Sequence, residues 1–238
     1  MRILLICDDY CHPGQIPING IAPLKQNGFE FDIITDVNDF SPDILQNYTV
    51  VLLCKMDEIS QKNKESWKTE VIQKAFVNYV ENGGGLLAVH SATVSGKNTK
   101  ILDKLIGCIF LSHPNECPVT VQPIKWHPVT EGVESFCEID EHYKIEIIAS
   151  DIDILFESHS PQQGDENKYK EEPYYNTPAS TCAAGYVRTQ GNGRICVLTP
   201  GHTLTVWHNT QFQRLLSNAL KWCGNQKANN IETERLKL

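Results

Sequence analysis

Four apolar runs, separated by amphipathic stretches, dominate the first ninety residues. Residues 2–7, 50–54 and 86–89 are continuous runs bounded by turn residues, which predicts strands buried on both faces of a parallel sheet. Residues 29–34 alternate apolar and polar side chains with a period of two, which predicts a strand at the edge of that sheet. The order of the runs predicts parallel strands joined by helices that cover the sheet.

Amphipathic segments between and after these runs predict the helices. Apolar residues recur with helical spacing over residues 17–27, 66–82 and 209–222, and a short helix is expected after the cap formed by Ser41 and Pro42. The buried stripe of the helix over 66–82 is predicted to comprise Trp67, Val71, Ala75, Phe76, Tyr79 and Val80.

The second half of the chain changes character. Residues 109–160 contain short strand-like runs interrupted by glycine and proline, which predicts an antiparallel extension whose loops fold over the sheet. Residues 183–188 and 194–198 are predicted strands joined by the turn at 190–193. The whole pattern predicts a three-layer α/β sandwich with a mainly parallel central sheet and an antiparallel β extension, forming a single domain over residues 1–224.

Two segments lack the pattern of a packed element. Residues 161–178 are polar and flanked by prolines, so we expect a mobile surface loop. The alternative is a lid over the site, with Tyr174 and Tyr175 as its contacts. Residues 225–238 are charged and carry no apolar stripe, so we expect a disordered C-terminal tail.

Composition narrows the classes of partner. The formal net charge of -8 argues against nucleic acid or an anionic membrane as the main partner. No segment approaches the roughly 18 apolar residues of a membrane span, and the N-terminus does not resemble a signal peptide. Nine cysteines, an odd number without a CxxC pair, favour free thiols in a reducing cytoplasm. We therefore expect a cytoplasmic protein.

Polar residues follow several of the predicted strands. His90 stands where the fourth apolar run stops, Asp8, Asp9 and His12 follow the first run, and His202 follows the last. Ligands of open α/β sheets bind beyond the carboxyl ends of the strands, so these groups are expected near the site. An imidazole there can bind a metal ion or transfer a proton near neutral pH.

These groups and others from the antiparallel region predict one polar pocket. For general acid–base catalysis the candidates are His90, Glu141, His142 and Asp9. The candidate ligands of a divalent metal ion are His90, His113 and His202. Imidazoles with carboxylates suit zinc or manganese, and no nucleotide cofactor is expected. Neither HExxH nor a CxxC pair is present, so the residues alone leave metal binding open.

Further polar and aromatic residues are candidates for contact with the substrate. They are Asp8, His12, Ser91, Tyr143, Trp126 and Trp207. Ordinary core packing is the alternative for the aromatic rings, and a helix cap is the alternative for the aspartate. A hydrolase using Ser91 or Cys11 as nucleophile is a further alternative, although a serine next to its histidine in sequence rarely has suitable geometry.

Several segments, in this order and spacing, resemble the ThuA-like (trehalose-utilisation) family over about residues 2–223. They are Gly83 to Ser91, Phe110 to Pro114, Trp126 to Val133, Asp140 to Tyr143, Gly191 to Arg194, Gly201 with His202, and Phe212 to Trp222. The resemblance implies a flavodoxin-like fold of the class I glutamine amidotransferase type. It also implies that the chain is not an amidotransferase, because His90 stands where that superfamily keeps its cysteine.

The resemblance further implies a role in carbohydrate metabolism. The expected function is to act on or bind trehalose, a related disaccharide or glucoside, or its 3-keto derivative, with acid–base chemistry of the isomerase or lyase type. The alternative is a non-catalytic, sugar-binding or regulatory partner of a sugar oxidoreductase. Expected partners are therefore a small sugar, such an oxidoreductase, and further copies of the chain in a homo-oligomer, with no nucleic acid or membrane.

Overall fold

The computed structural model describes residues 1–60, 62–160 and 180–224. The strands are β1 (Arg2–Cys7), β2 (Glu30–Ile34), β3 (Val50–Cys54), β4 (Gly85–Val89), β5 (Cys108–Ser112), β6 (Cys117–Pro123), β7 (Phe136–Asp140), β8 (Lys144–Ile147), β9 (Asp153–His159), β10 (Thr181–Gln190) and β11 (Gly193–Leu198). The α-helices are α1 (Gln15–Gly20), α2 (Glu70–Glu81), α3 (Lys100–Ile106), α4 (Leu204–His208) and α5 (Thr210–Gly224). Short 3-10 helices cover Ala22–Asn27, Val37–Asp39, Pro42–Asn47 and His90–Thr93.

Nine strands form one mixed sheet in the order β2-β1-β3-β4-β11-β10-β9-β6-β7. Neighbouring strands pair in parallel from β2 to β11 and antiparallel from β11 to β7. Only β10 and β6 therefore run against the other strands, and the carboxyl ends of β1, β4, β7 and β11 lie at one edge. Strands β5 and β8 form a separate antiparallel pair. The predicted α/β class, with a mainly parallel sheet and an antiparallel extension, is confirmed.

Helices bury both faces of the parallel part of the sheet. Along β1, Ile3 and Leu5 pack on the face covered by α5, whereas Leu4 and Ile6 pack on the face covered by α2 and α3. All four side chains are fully buried. Because successive residues of a strand point to opposite faces, only a strand covered on both sides has a continuous apolar run.

Helix ends depart from the predicted bounds where the chain supplies a cap or a proline. The helix predicted over 66–82 begins at Glu70, because the Thr69 side chain caps it by accepting the N–H of Ile72. Val71 is 70% exposed, so its predicted place in the buried stripe is wrong. Pro23, at the start of the 3-10 helix Ala22–Asn27, has no N–H to continue the α-helical ladder of α1.

Two predictions fall on other parts of the chain. The loop or lid at 161–178 and the tail at 225–238 lie outside the described residues.

All nine cysteines lie within the described residues, and each is a free thiol. Among the described helices, none combines the length and apolar character that crossing a bilayer requires.

Candidate active site

His90 occupies the first position after β4 in a strained conformation. Its φ of 49° lies in the left-handed region, and it opens the 3-10 helix His90–Thr93. The ring is buried and its Nδ1 lies 2.8 Å from the Thr199 carbonyl oxygen, an acceptor that places the ring proton on Nδ1. The Nε2 atom is thereby left with a free lone pair. Strain of this kind costs about 1–3 kcal/mol and is typical of functional sites.

Glu141 lies at the centre of a group of histidines. Its Oε2 atom is 3.3 Å from His90 Nε2 and 3.2 Å from His202 Nδ1. Its Oε1 atom is 3.6 Å from His113 Nε2. Glu141 follows β7, which runs in the same direction as β4 and β11, and this shared direction brings the three strand ends together.

His12 joins the same group from the loop after β1. Its Nδ1 lies 2.7 Å from Asp9 Oδ1, so its Nε2 faces the other histidines. The rings of His12, His90 and His202 lie within 5.4 Å of one another, measured between centroids. Together with His113 and Glu141 these residues form what we term the histidine–glutamate cluster.

Two buried side chains, those of Asp9 and Lys55, stabilise the loop after β1 that carries His12. Asp9 accepts the backbone N–H groups of Cys11, His12 and Met56. Lys55, fully buried, donates to the carbonyl of Asp8, whose backbone has a positive φ.

Asp140, the second buried carboxylate beside the cluster, stabilises the loop after β11 by accepting backbone hydrogen bonds. Its two carboxyl oxygens accept the N–H groups of Gly201 and His202, each at 2.9 Å. Burial raises the pKa of Asp140 to about 7, and these backbone donors oppose that rise. The position of His202 therefore depends on a hydrogen-bonded side chain that immediately precedes Glu141.

Residues of the cluster have different local environments, and their pKa values are therefore shifted in different directions. Burial lowers the pKa of His90 to about 4, which keeps this imidazole neutral at pH 7. Burial would lower the pKa of His202, but the adjacent carboxylates of Glu141, Asp140 and Glu116 outweigh it and raise that pKa. Burial likewise opposes ionisation of Glu141, yet the close approach of His202 and His90 holds the pKa of this carboxylate well below the usual range.

Two of the predicted site residues lie away from the cluster. His142 is buried in a separate network, with Nε2 near the Ser158 hydroxyl and Nδ1 near the Ser180 hydroxyl. Residues 140–143 alternate in direction, so Glu141 and Tyr143 face the cluster and His142 does not. The structure therefore places His142, predicted as a catalytic residue, outside the cluster.

Trp126 is also displaced from the predicted pocket. It is 78% exposed, and its neighbour His127 packs against Trp222. Trp222 in turn contacts Arg194 near the start of β11, which is the opposite end of that strand from His202. Trp126 closely follows the end of β6, and because β6 runs against β4 and β11, that end lies at the other edge of the sheet.

The remaining predicted contacts lie beside the cluster but are largely covered. Tyr143 stacks on His90 at 3.9 Å between ring centroids, and its hydroxyl is 3.3 Å from His12 Nε2. Trp207 is buried and donates to the Gly201 carbonyl, so neither ring offers a free face to a sugar. Ser91 is buried in the turn after β4, and the Asp8 carboxylate accepts the N–H of Gly14.

Sequence reasoning missed two contributors to the site, Glu116 and Thr199, and gave a third residue a different role. His12 was expected only to contact substrate, yet its spacing from Asp9 signals a paired imidazole. Glu116 lies 3.5 Å from His202 Nε2, but nothing in its sequence context sets it apart from other surface acids. Thr199 contributes a main-chain carbonyl, which side-chain patterns do not reveal.

The comparisons with known proteins agree with this fold. The ThuA family model, described as trehalose utilisation, matches residues 8–223. A ThuA-like protein from Bacteroides uniformis is 23% identical with a TM-score of 0.70, covering 94% of this chain and 91% of that one. A ThuA-like protein from Parabacteroides merdae is 18% identical with a TM-score of 0.71, covering 94% of this chain and 90% of that one. A cytoplasmic protein from Salmonella typhimurium is 14% identical with a TM-score of 0.61, covering 94% of this chain and 99% of that one. No curated protein matches the sequence.

Proposed function

The chain belongs to the ThuA (trehalose utilisation) family, and we propose that it is an enzyme of carbohydrate metabolism that uses the histidine–glutamate cluster. The proposed substrate is trehalose, a related disaccharide or glucoside, or its 3-keto derivative. The proposed chemistry is acid–base, of the isomerase or lyase type. The observation that carries the proposal is the contact of one carboxylate, Glu141, with His90, His113 and His202 at the carboxyl edge of the sheet.

The electrostatics of the cluster suit proton transfer. In the cluster without an ion, a neutral His90, an ionised Glu141 and a His202 with a raised pKa supply both proton acceptors and a proton donor close to one another. On a 3-keto sugar, an acceptor removes the proton from the carbon beside the carbonyl, and the electron pair moves onto the carbonyl oxygen. Return of a proton to another atom gives isomerisation, and loss of a β-alkoxy group gives elimination.

A divalent ion is the cofactor class that fits these residues, with zinc or manganese as the proposed identity. When bound, such an ion polarises a carbonyl or hydroxyl of the sugar. The protein's own contribution is to orient the imidazoles, through Asp9, Thr199 and Glu116, and to shield the cluster from bulk water with the ring of Tyr143.

A substrate screen with one matched pair of variants tests the proposal. Trehalose, other disaccharides, glucosides and their 3-keto derivatives would be incubated with the protein and followed by NMR. Glu141→Gln should lower turnover by roughly 100-fold or more, the scale of a lost acid–base group. Glu146→Gln, which changes an exposed glutamate of β8, should leave turnover unchanged.

Two outcomes would overturn the enzymatic proposal. Turnover that survives Glu141→Gln would place the chemistry elsewhere in the molecule. A sugar that binds, loses affinity in Glu141→Gln and is never converted would instead identify the alternative function, a sugar-binding partner of an oxidoreductase.

A further inference from the structure

We infer that His12, His90, Glu141 and His202 bind one divalent transition-metal ion, and that His113 lies outside this set of ligands and faces the substrate. The inference deepens the proposed function and rests on it for the use of the pocket. It differs from the sequence-based set of His90, His113 and His202 by exchanging one histidine and adding the carboxylate.

The spacing of the ligand atoms is close to that of a metal polyhedron. All four residues offer a ligand atom within 4.8 Å of the others. Two of these contacts, from Glu141 Oε2 to His90 Nε2 and to His202 Nδ1, measure 3.3 and 3.2 Å. A tetrahedral ion with bonds of about 2.0–2.1 Å separates its ligand atoms by about 3.3 Å. Small side-chain movements of the wider pairs would complete the polyhedron.

Unsatisfied buried nitrogens provide an independent reason to expect a ligand. His90 Nε2 and His202 Nδ1 are both buried without a hydrogen-bond partner, since their approach to Glu141 does not meet hydrogen-bond geometry. His90 is 3% exposed, so water from the bulk does not compensate. Leaving such a group unsatisfied costs about 1–3 kcal/mol, and a cation between the two nitrogens would remove this cost for both.

The opposite nitrogen of each of these histidines faces an acceptor. His12 Nδ1 is 2.7 Å from Asp9 Oδ1, and His90 Nδ1 is 2.8 Å from the carbonyl oxygen of Thr199. His202 Nε2 is 3.5 Å from Glu116 Oε1. Metal-binding histidines nearly always donate their second N–H to a carboxylate or carbonyl, which fixes the tautomer and aims the free lone pair at the ion. The three acceptors therefore orient the rings toward one point.

His113 also has an acceptor at its second nitrogen, but it differs from these three histidines in position and exposure. Its Nδ1 contacts the carbonyl of the adjacent Pro114, and its Nε2 approaches the other carboxyl oxygen of Glu141, at 3.6 Å. Its side chain is 35% exposed, against 3% for His90. With the four ligands engaged by an ion, His113 is the imidazole of the cluster that remains available to a substrate entering from solvent.

The donor set selects the class of metal. Three imidazole nitrogens and one carboxylate oxygen suit zinc and its first-row neighbours, whereas magnesium and calcium prefer oxygen ligands throughout. Zinc sites sometimes expand to a fifth ligand, so a sugar oxygen could approach an ion held by these residues. We therefore choose Zn²⁺ as the probe.

Zinc binding to variants of the full chain tests the ligand set without any sugar. Tag-free protein would be stripped with a chelator, titrated with Zn²⁺ against a chromophoric competitor, and analysed by elemental mass spectrometry. The wild type should bind one equivalent. His12→Ala should lose more than about 100-fold in affinity, beyond the usual effect of an outer-shell partner. His113→Ala should remain within about threefold of the wild type, and circular dichroism would confirm that both are folded.

The remaining controls make every result decisive. If His12→Ala does not fold, His12→Gln keeps most of the side-chain volume and should show the same loss. Tyr143→Phe removes only a hydroxyl near His12 and should retain the ion. A wild type that binds no zinc, or a His113→Ala variant that loses as much affinity as His12→Ala, would overturn the inference. Normal zinc binding without turnover of any sugar would count against the proposed function alone.

Discussion

At the scale of single residues, His90 connects backbone conformation with chemistry. A φ of 49° is uncommon for any residue other than glycine, so the surrounding structure must hold His90 there. The carbonyl of Thr199 fixes the ring, and Tyr143 covers one of its faces. The same features that make this position costly for folding present Nε2 to the interior of the cluster.

A pair of substitutions at His90 separates strain from function. His90→Ala keeps the left-handed backbone and loses the contact with Thr199, so the free energy of unfolding should fall by only about 1 kcal/mol. Turnover should fall by roughly 100-fold or more. His90→Gly adopts this φ without the side-chain penalty and should be at least as stable as His90→Ala, yet equally inactive.

Urea denaturation and turnover of the sugar found in the screen would measure both effects. A large loss of stability in His90→Ala, with unchanged activity per folded molecule, would show instead that His90 is an ordinary core histidine.

At the scale of elements, the sequence predicts the strands and helices whose positions depend on local patterns of apolar residues. The strands around 2–7, 50–54 and 86–89 are found because burial on both faces requires continuous apolar runs. β7 pairs with β6, the strand before it, and β6 takes its direction from its pairing with β9, so the arrival of Glu141 at the site edge had no local signal. Val71 lies on the helical stripe by spacing alone, but where the surface of a helix becomes exposed depends on its neighbours.

Gly201 shows how closely the loop after β11 packs against β4. Its φ is +139°, and an added Cβ would lie 3.1 Å from Val89 Cγ1 and 3.4 Å from His90 Cβ. Gly201→Ala should therefore lower the free energy of unfolding by about 1–3 kcal/mol and also displace His202, reducing zinc affinity or turnover.

Gly28→Ala is the matched control for this prediction. Gly28 also has a positive φ, of +81°, but an added Cβ there would meet no atom within 4 Å. It should destabilise the fold by about 1–2 kcal/mol through backbone strain and leave the site intact. Equal damage to zinc binding or turnover in both variants, measured beside urea denaturation, would contradict a specific role for the close packing at Gly201.

At the scale of the whole molecule, the site is a product of topology. The site residues come from the ends of β1, β4, β7 and β11, and the most distant are more than 180 positions apart in sequence. They meet because these strands share one direction. The sequence could predict that His90 and His202 follow strands, and therefore that they lie near one edge. It could not distinguish His12 from His113 as the nearer neighbour, because that depends on how two loops pack over the sheet.

The distribution of the nine free cysteines leads to a prediction for the folded molecule. Cys11 and Cys137 are exposed, Cys182 is half-buried, and the other six are buried. Burial raises the pKa of the Cys7, Cys108 and Cys223 thiols to about 12, so almost no thiolate is available for reaction at pH 7.

A thiol reagent should therefore label two cysteines quickly in the native protein, a third more slowly, and all nine after denaturation without a reductant. Ellman titration followed over time would measure these phases. Cys11→Ser should remove one fast thiol and leave the denatured total at eight. A denatured wild type with fewer than nine reactive thiols would show that a disulfide forms and that the thiols are not all free. Rapid native labelling of more than three would show that the sheet opens readily, since the remaining six thiols become accessible only when its packed layers separate.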